Sequence, residues 1–274
     1  MTTTPKISQR GVPAAVRRVL ASGRVWIIQG VGTLLVAALA WSWFWMDEAR
    51  VWQIAASAVL ALLVLYLAAF LQRTALRVYR RDRLGAIGPQ GPAAAPQRRT
   101  LRQWMPGAAL VFVFLAALVW GYGEIREALP DAVQFIASWL TLHLRSPVDP
   151  YLLERRWETV QFVLPWLLFV VVWLPPAAAA LLGEKRIWRA AARAWLRLRY
   201  WLGTLVCAAV GYYAFTKLSG WVPSVKGIGM QTVSMAARLG VGYVTALGSW
   251  LVILALAEES IAASRERNPD DTWD

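Results

Sequence analysis

The side chains of this chain that could do chemistry are few and scattered. The single histidine, His143, lies in an apolar stretch downstream of Glu124, Glu127 and Asp131. An imidazole with a carboxylate pair is a minimal set for acid–base catalysis, and a zinc site at His143 would need those acids to converge on it from separate loops. Nothing in the spacing fixes them around one point. The single cysteine, Cys207, sits inside an apolar run, so neither an intramolecular disulfide nor a cysteine metal cluster can be built. The glycine-rich run GAIGPQG at 85–91 lacks the Gly-Lys-Ser/Thr ending of a phosphate loop and follows no strand pattern. The expectation is therefore no catalytic residue, no metal ligand and no cofactor. What remains are Pro175-Pro176, Arg238 and Glu258-Glu259, all within or beside long apolar runs.

Those runs set the architecture. Hydrophobic residues make up 58% of the 274 residues and charged residues 16%, against about 45–50% and about 25% in a soluble domain. Six segments approach the ~20 apolar residues of a spanning helix: Val25 to Trp45, Val51 to Leu71, Trp104 to Tyr122, Val160 to Leu182, Tyr200 to Thr216 and Leu239 to Ala257. Backbone groups in lipid must bond within their own segment, so runs of this length are helical, whereas a barrel would show short alternating strands. The fold class expected is all-α, a polytopic membrane bundle of six transmembrane helices with interfacial amphipathic helices.

Charge orients it. Of the 29 Lys and Arg, 21 fall on the side of the N-tail, the connectors at 73–102 and 185–199 and the C-tail, and 8 on the other, while the 16 acids divide evenly. Both termini are expected in the cytoplasm of a bacterial inner membrane, and the formal charge of +13 is spent on topology, not nucleic acid. Trp41, Trp43, Trp45, Trp52, Trp120, Trp157 and Trp221 fall near outer helix ends and Trp26, Trp104, Trp188, Trp195 and Trp201 near inner ones, as two aromatic belts. Arg17-Arg18 and Ala38-Leu39-Ala40 resemble a leader and its cleavage site, but the apolar run continues through WSWFWM, so an anchored hairpin is expected. A Gly/Pro/Ala-rich linker at 83–103 divides that part, 1–82, from four further helices at 104–274. On the outer side, Pro130 to Leu144 is too short to span and is expected as a separate interfacial or re-entrant helix. Asp149-Pro150 then matches an N-cap followed by proline at the first helical position.

EKRIWRAAARAWLRLRYWLG, Glu184 to Gly203, is the least ordinary connector. On a helical wheel Ile187, Trp188, Ala191, Trp195, Leu198 and Leu202 share one face, with Arg186, Arg189, Arg193 and Arg197 largely opposite. With Lys185 these arginines could hold anionic lipid, each contributing about 1 kcal/mol near a charged leaflet; the plainer reading is a positive anchor without ligand specificity. ARAWLRLRYWLG at 192–203, the following apolar run, WVP at Trp221 to Pro223 and the last apolar helix resemble bacterial multi-helix membrane families over 185–257. Among them is the membrane module ahead of the catalytic domain in some glycerophosphodiester phosphodiesterases. The resemblance implies a membrane module without the barrel that performs that chemistry.

Pro175-Pro176 must bend or break the fourth span, and a broken helix can expose backbone to a substrate. Gly203, Cys207 and Gly211, and Gly242 with Ala246, are spaced for close helix contact, within the bundle or between copies. Arg238 and Glu258-Glu259 are expected to mark the ends of the sixth span. The leading functional expectation is a non-enzymatic accessory or interaction protein on anionic lipid, with a membrane protein partner as a further candidate contact. The alternative is a small permease or lipid-handling transporter with its site at the Pro175-Pro176 kink. A membrane enzyme using the acids around His143 comes third.

Overall fold

The computed structural model describes residues 12–46, 50–86, 105–184, 186–224 and 227–262. All regular structure among them is helical: α1 (Val12–Ala21), α2 (Gly23–Phe44), α3 (Val51–Ala86), α4 (Met105–Leu144), α5 (Pro150–Leu167), a π-helical stretch (Leu168–Trp173), α6 (Leu174–Leu181), α7 (Ile187–Trp195), α8 (Leu198–Gly220) and α9 (Ile228–Ala262). Among the described residues, three helical segments are long and apolar enough to cross a membrane: Gly23–Trp43, Val51–Asp82 and Ile228–Ala262. Most of the first two is not buried against the protein, with Ile27, Leu35, Val59 and Leu62 exposed. Apolar side chains left outward along whole helices fit lipid, since a soluble surface does not carry contiguous patches of that extent.

Helices outrun the apolar runs that announce them. α3 passes Leu71 by fifteen residues to Ala86, so the first residues of the expected linker are helical; residues 87–104 lie outside those described. α9 begins at Ile228, not at Leu239, which puts Arg238 on its third turn instead of its edge. The expected separate helix at Pro130 to Leu144 is continuous with α4, correcting that boundary. Proline removes one hydrogen bond, but good helix formers flank it and Val133 and Ala137 are buried beyond it, which gives the continuation tertiary support. α5 starts where Asp149-Pro150 places it: Asp149 Oδ1 accepts from the Tyr151 amide at 2.9 Å, the expected cap.

α9 is the central element, touching α1, α2, α3, α6, α7 and α8. Its C-terminal half is enclosed, with Leu251 to Glu258 all buried, and the core gathers there with Ala15, Val19, Leu76, Tyr79, Ala178, Ala179 and Tyr200. Polar side chains tie the α2–α3 hairpin to the rest: Gln29 Nε2 donates to Leu71 O at 2.6 Å, Tyr243 Oη to Gly30 O at 2.8 Å, and Trp250 Nε1 to Gln72 Oε1 at 2.8 Å. The small-residue spacing is used inside the chain. A Cβ at Gly211 would sit 3.0 Å from Ser249 Cβ, one at Gly242 3.3 Å from Phe215, and one at Gly203 2.8 Å from both Leu256 and Val12. α8 and α9 approach this closely because those positions carry no side chain.

Candidate functional site

Pro175 and Pro176 sit in the first turn of α6, where a missing N–H costs the helix least. The debt falls on the chain before them. Pro175 would have bonded Val171 O in an α-helix or Val170 O in a π-helix, and Pro176 would have bonded Val172 O or Val171 O. Two of these carbonyls are met from outside this stretch. Tyr200 Oη donates to Val170 O at 2.6 Å, and Trp195 Nε1 donates to Val172 O at 3.1 Å. Trp173, at the end of the π-helical stretch, donates Nε1 to Leu110 O of α4 at 2.9 Å. The break is thus hydrogen-bonded to its neighbours, and Leu174 to Leu181 are all buried. Where Gly107 of α4 crosses α6, a Cβ would lie 2.8 Å from the Leu181 amide nitrogen.

α6 ends as cleanly as it begins. The Gly183 amide bonds Ala180 O at 2.8 Å and the Glu184 amide bonds Ala179 O at 2.9 Å, around a positive φ of 74° at Gly183. This glycine-terminated cap reverses the chain into α7. Glu184 then accepts from Arg80 of α3 at 2.7 Å, so the turn is fastened to another helix.

The basic connector divides its labour. The helix breaks at Leu196 and Arg197, so a single wheel across 187–202 does not hold; α7 buries Ala190, Ala191 and Ala194 and turns Trp188 outward. Leu196, Leu198 and Leu202 are also exposed, an apolar rim beside the basic residues. Arg186 and Arg189 are exposed, Arg193 and Arg197 half-buried, and Lys185 lies outside the described residues. Trp195 belongs to the proline break, and its own carbonyl accepts from Trp201 Nε1 at 2.7 Å. The tryptophans expected in an inner belt therefore serve partly as hydrogen-bond donors to main chain.

A charged cluster that the sequence does not announce closes the same end of the bundle. α1 packs Ala15 and Val19 against α9, and its Arg18 reaches Glu259 at 2.5 Å and Glu258 at 3.9 Å. The Glu258 side chain is 0% exposed, not a solvated helix end. Ser22, between α1 and α2, donates to Asp82 of α3 at 3.1 Å. The available signal was VPAAVRRVLA itself, with Val12, Ala15, Val16 and Val19 at helical spacing and proline in the first turn.

The residues considered for acid–base chemistry are held apart. His143 stacks on Trp139 with ring centroids 4.0 Å apart, and its Nδ1 lies 2.9 Å from Trp139 O, the N–H donating. Asp131 and Glu124 are exposed on the same helix. Asp131 is twelve residues from His143, about 18 Å along the axis, so one reacting atom cannot touch both. The Glu127 side chain is outside the described set. What the geometry assembles instead is a basic, aromatic surface segment hydrogen-bonded to a broken helix. The chain matches no known protein family, no curated protein and no solved structure, so the likeness of residues 185–257 to bacterial membrane modules rests on those residues alone.

Proposed function

We propose that this chain is a six-span bacterial inner-membrane protein, both termini cytoplasmic, acting without catalysis as a membrane-embedded accessory or interaction protein held on anionic lipid by its α7 elbow. The remaining spans in this reading are the apolar first half of α4, the α5–π–α6 stack and α8, whose 23 residues cover about 34 Å against a hydrocarbon thickness of about 30 Å. The observation that carries the lipid role is the split exposure of α7 and the turn after it, with small residues of α7 buried on the bundle while Trp188 and Arg189, then Leu196 and Leu198, face away from it. Such a surface lies in a membrane interface with its cations at the headgroups. The competing permease reading places a substrate at Pro175-Pro176, and the buried, hydrogen-bonded state of that break weighs against it.

The test is native mass spectrometry of the purified chain with mixed phosphatidylglycerol and phosphatidylcholine. Replacing Arg189, Arg193 and Arg197 together by Gln is expected to strip most retained phosphatidylglycerol, and unchanged retention counts against the elbow. Gentle extraction from the native membrane addresses the partner, since a stoichiometric second protein is the outcome an accessory role requires.

A further inference from the structure

A second cluster, at the opposite end of α9 from α1, is not used by the elbow. The first three turns of α9 and residues 222–223 after α8 line an open cleft of about 340 Å³, walled by Val222, Pro223, Ile228 and Met235 and reached by Arg238 with Gln231, Thr232 and Ser234. That volume is within the range of ligand-binding clefts, whose usual make-up is apolar walls around a few convergent polar groups. Its level follows from the packing of α8 on α9. Gly242 lies against Phe215 and Leu218, so Arg238, one turn earlier, stands beside the last turn of α8. The ten residues of α9 before it extend about 15 Å further.

Arg238 is an unusual occupant. It lies inside a continuous helix, flanked by exposed apolar Val233, Met235, Leu239 and Val241, and an ionisable residue in such a setting marks a site by default. It is half-buried, its Nε donates to Ser234 O at 3.2 Å, and no carboxylate among the described residues lies within 4.0 Å of it. Its terminal nitrogens form a planar fork suited to two oxygens of a phosphate or carboxylate. The Thr232 hydroxyl is satisfied by Ile228 O, leaving the guanidinium as the charged recognition group. The walls are open as well as apolar: Val222 and Ile228 are 83% and 84% exposed. An enclosed solute would be poorly held there, whereas a lipid needs only its headgroup inside while its chains stay along the helix.

We infer that this cleft is a binding site for the phosphate headgroup of an anionic membrane lipid at the outer interface, with Arg238 as its anchor. The site is separate from the α7 elbow, and it rests on the membrane placement proposed above.

The test titrates phosphatidylglycerol onto the full-length chain in detergent and counts bound lipids by native mass spectrometry. Arg238→Gln is expected to weaken one lipid site about tenfold or more, the usual cost of losing a charge-assisted hydrogen bond, while the remaining lipids stay. Met235→Glu, at an exposed position one turn away, leaves Arg238 in place but supplies an internal carboxylate, and is expected to abolish the same site if Arg238→Gln does not fold. The Arg189/Arg193/Arg197→Gln variant keeps this lipid, so loss there with retention at Arg238→Gln defeats the cleft and spares the elbow. The reverse pattern supports the cleft and defeats the elbow. Full retention by both Arg238→Gln and Met235→Glu overturns the inference. Displacement of the bound lipid by inorganic phosphate at equal concentration overturns the lipid assignment in favour of a soluble anion.

Discussion

Tyr200→Phe isolates the hydrogen bond on which the proline break depends. The substitution removes one oxygen and keeps the ring, which is 1% exposed and so holds its packing. The Val170 carbonyl, left by Tyr200 Oη at 2.6 Å, belongs to a residue 4% exposed, so water cannot readily take the donor's place. An orphaned buried acceptor costs about 1–3 kcal/mol, and side-chain hydrogen bonds measured within membranes average near 0.6 kcal/mol. The expected loss is about 1 kcal/mol, a fall of roughly 2–4 °C in the unfolding midpoint. Cys207 supplies the assay, since it is the only cysteine and is buried: a maleimide dye labels it as the bundle opens on heating. Hydrogen exchange should rise locally over 168–177, because that segment loses its clamp while the α8–α9 packing is untouched. Tyr213→Phe, on the exposed face of α8, is the control. If Tyr200→Phe matches it in midpoint and in exchange, the idea that α8 repairs the break is wrong.

Three further outcomes follow from the packing. Arg18→Gln removes the cation that Glu259 meets at 2.5 Å and Glu258 at 3.9 Å and should destabilise the chain by about 3 kcal/mol, part of it recovered in Arg18→Gln/Glu259→Gln; equal midpoints of the single and double variants refute the pairing. Gly107→Ala drives a methyl to within 2.8 Å of the Leu181 amide nitrogen and should cost about 1–3 kcal/mol, while Gly123→Ala, with open space around it inside α4, should hold or slightly raise the midpoint in the same melt. In a Cys207→Ser background, Gln90→Cys should label only after the membrane is opened and Val225→Cys from outside; the opposite pattern inverts the topology and removes the lipid argument.

Some of this is legible in the sequence alone. Asp149-Pro150 carries its own instructions, because a cap and a fixed φ are local, and the proline pair announces a discontinuity for the same reason. The apolar cores of α2 and α3 were equally plain. Helix ends were not, because hydropathy reports where lipid could lie and not where backbone hydrogen bonds stop: α3, α4 and α9 continue through arginines, acids and even Pro130. Arg238 reads as a helix edge for that reason, although α9 begins ten residues before it. α1 reads as a basic tail, since a ten-residue helix is marginal alone even with its apolar residues at helical spacing, and it is held by Glu258 and Glu259, some 240 positions away. Which carbonyl Trp195 or Tyr200 would reach could not be read at all, as it depends on the register between α6 and the chain that folds back over it.

That register explains why a basic segment rich in tryptophan lies where it does. A proline pair in a buried apolar helix releases carbonyls that its surroundings cannot satisfy, so some other element must bring donors to them. Arginine could donate, but would drag a charge into the core at high cost; an indole N–H or phenol O–H carries a donor on an apolar body. The segment 184–203 meets both demands, turning Trp195 and Tyr200 inward to Val172 and Val170 and leaving Arg186 and Arg189 at the surface. Its two faces are consequently separable: Arg189→Gln, at an exposed position, should alter lipid retention with little effect on the melt, and Tyr200→Phe should do the opposite. A variant of either kind that moved both readouts together would mean that lipid contact and the repaired break are one coupled device.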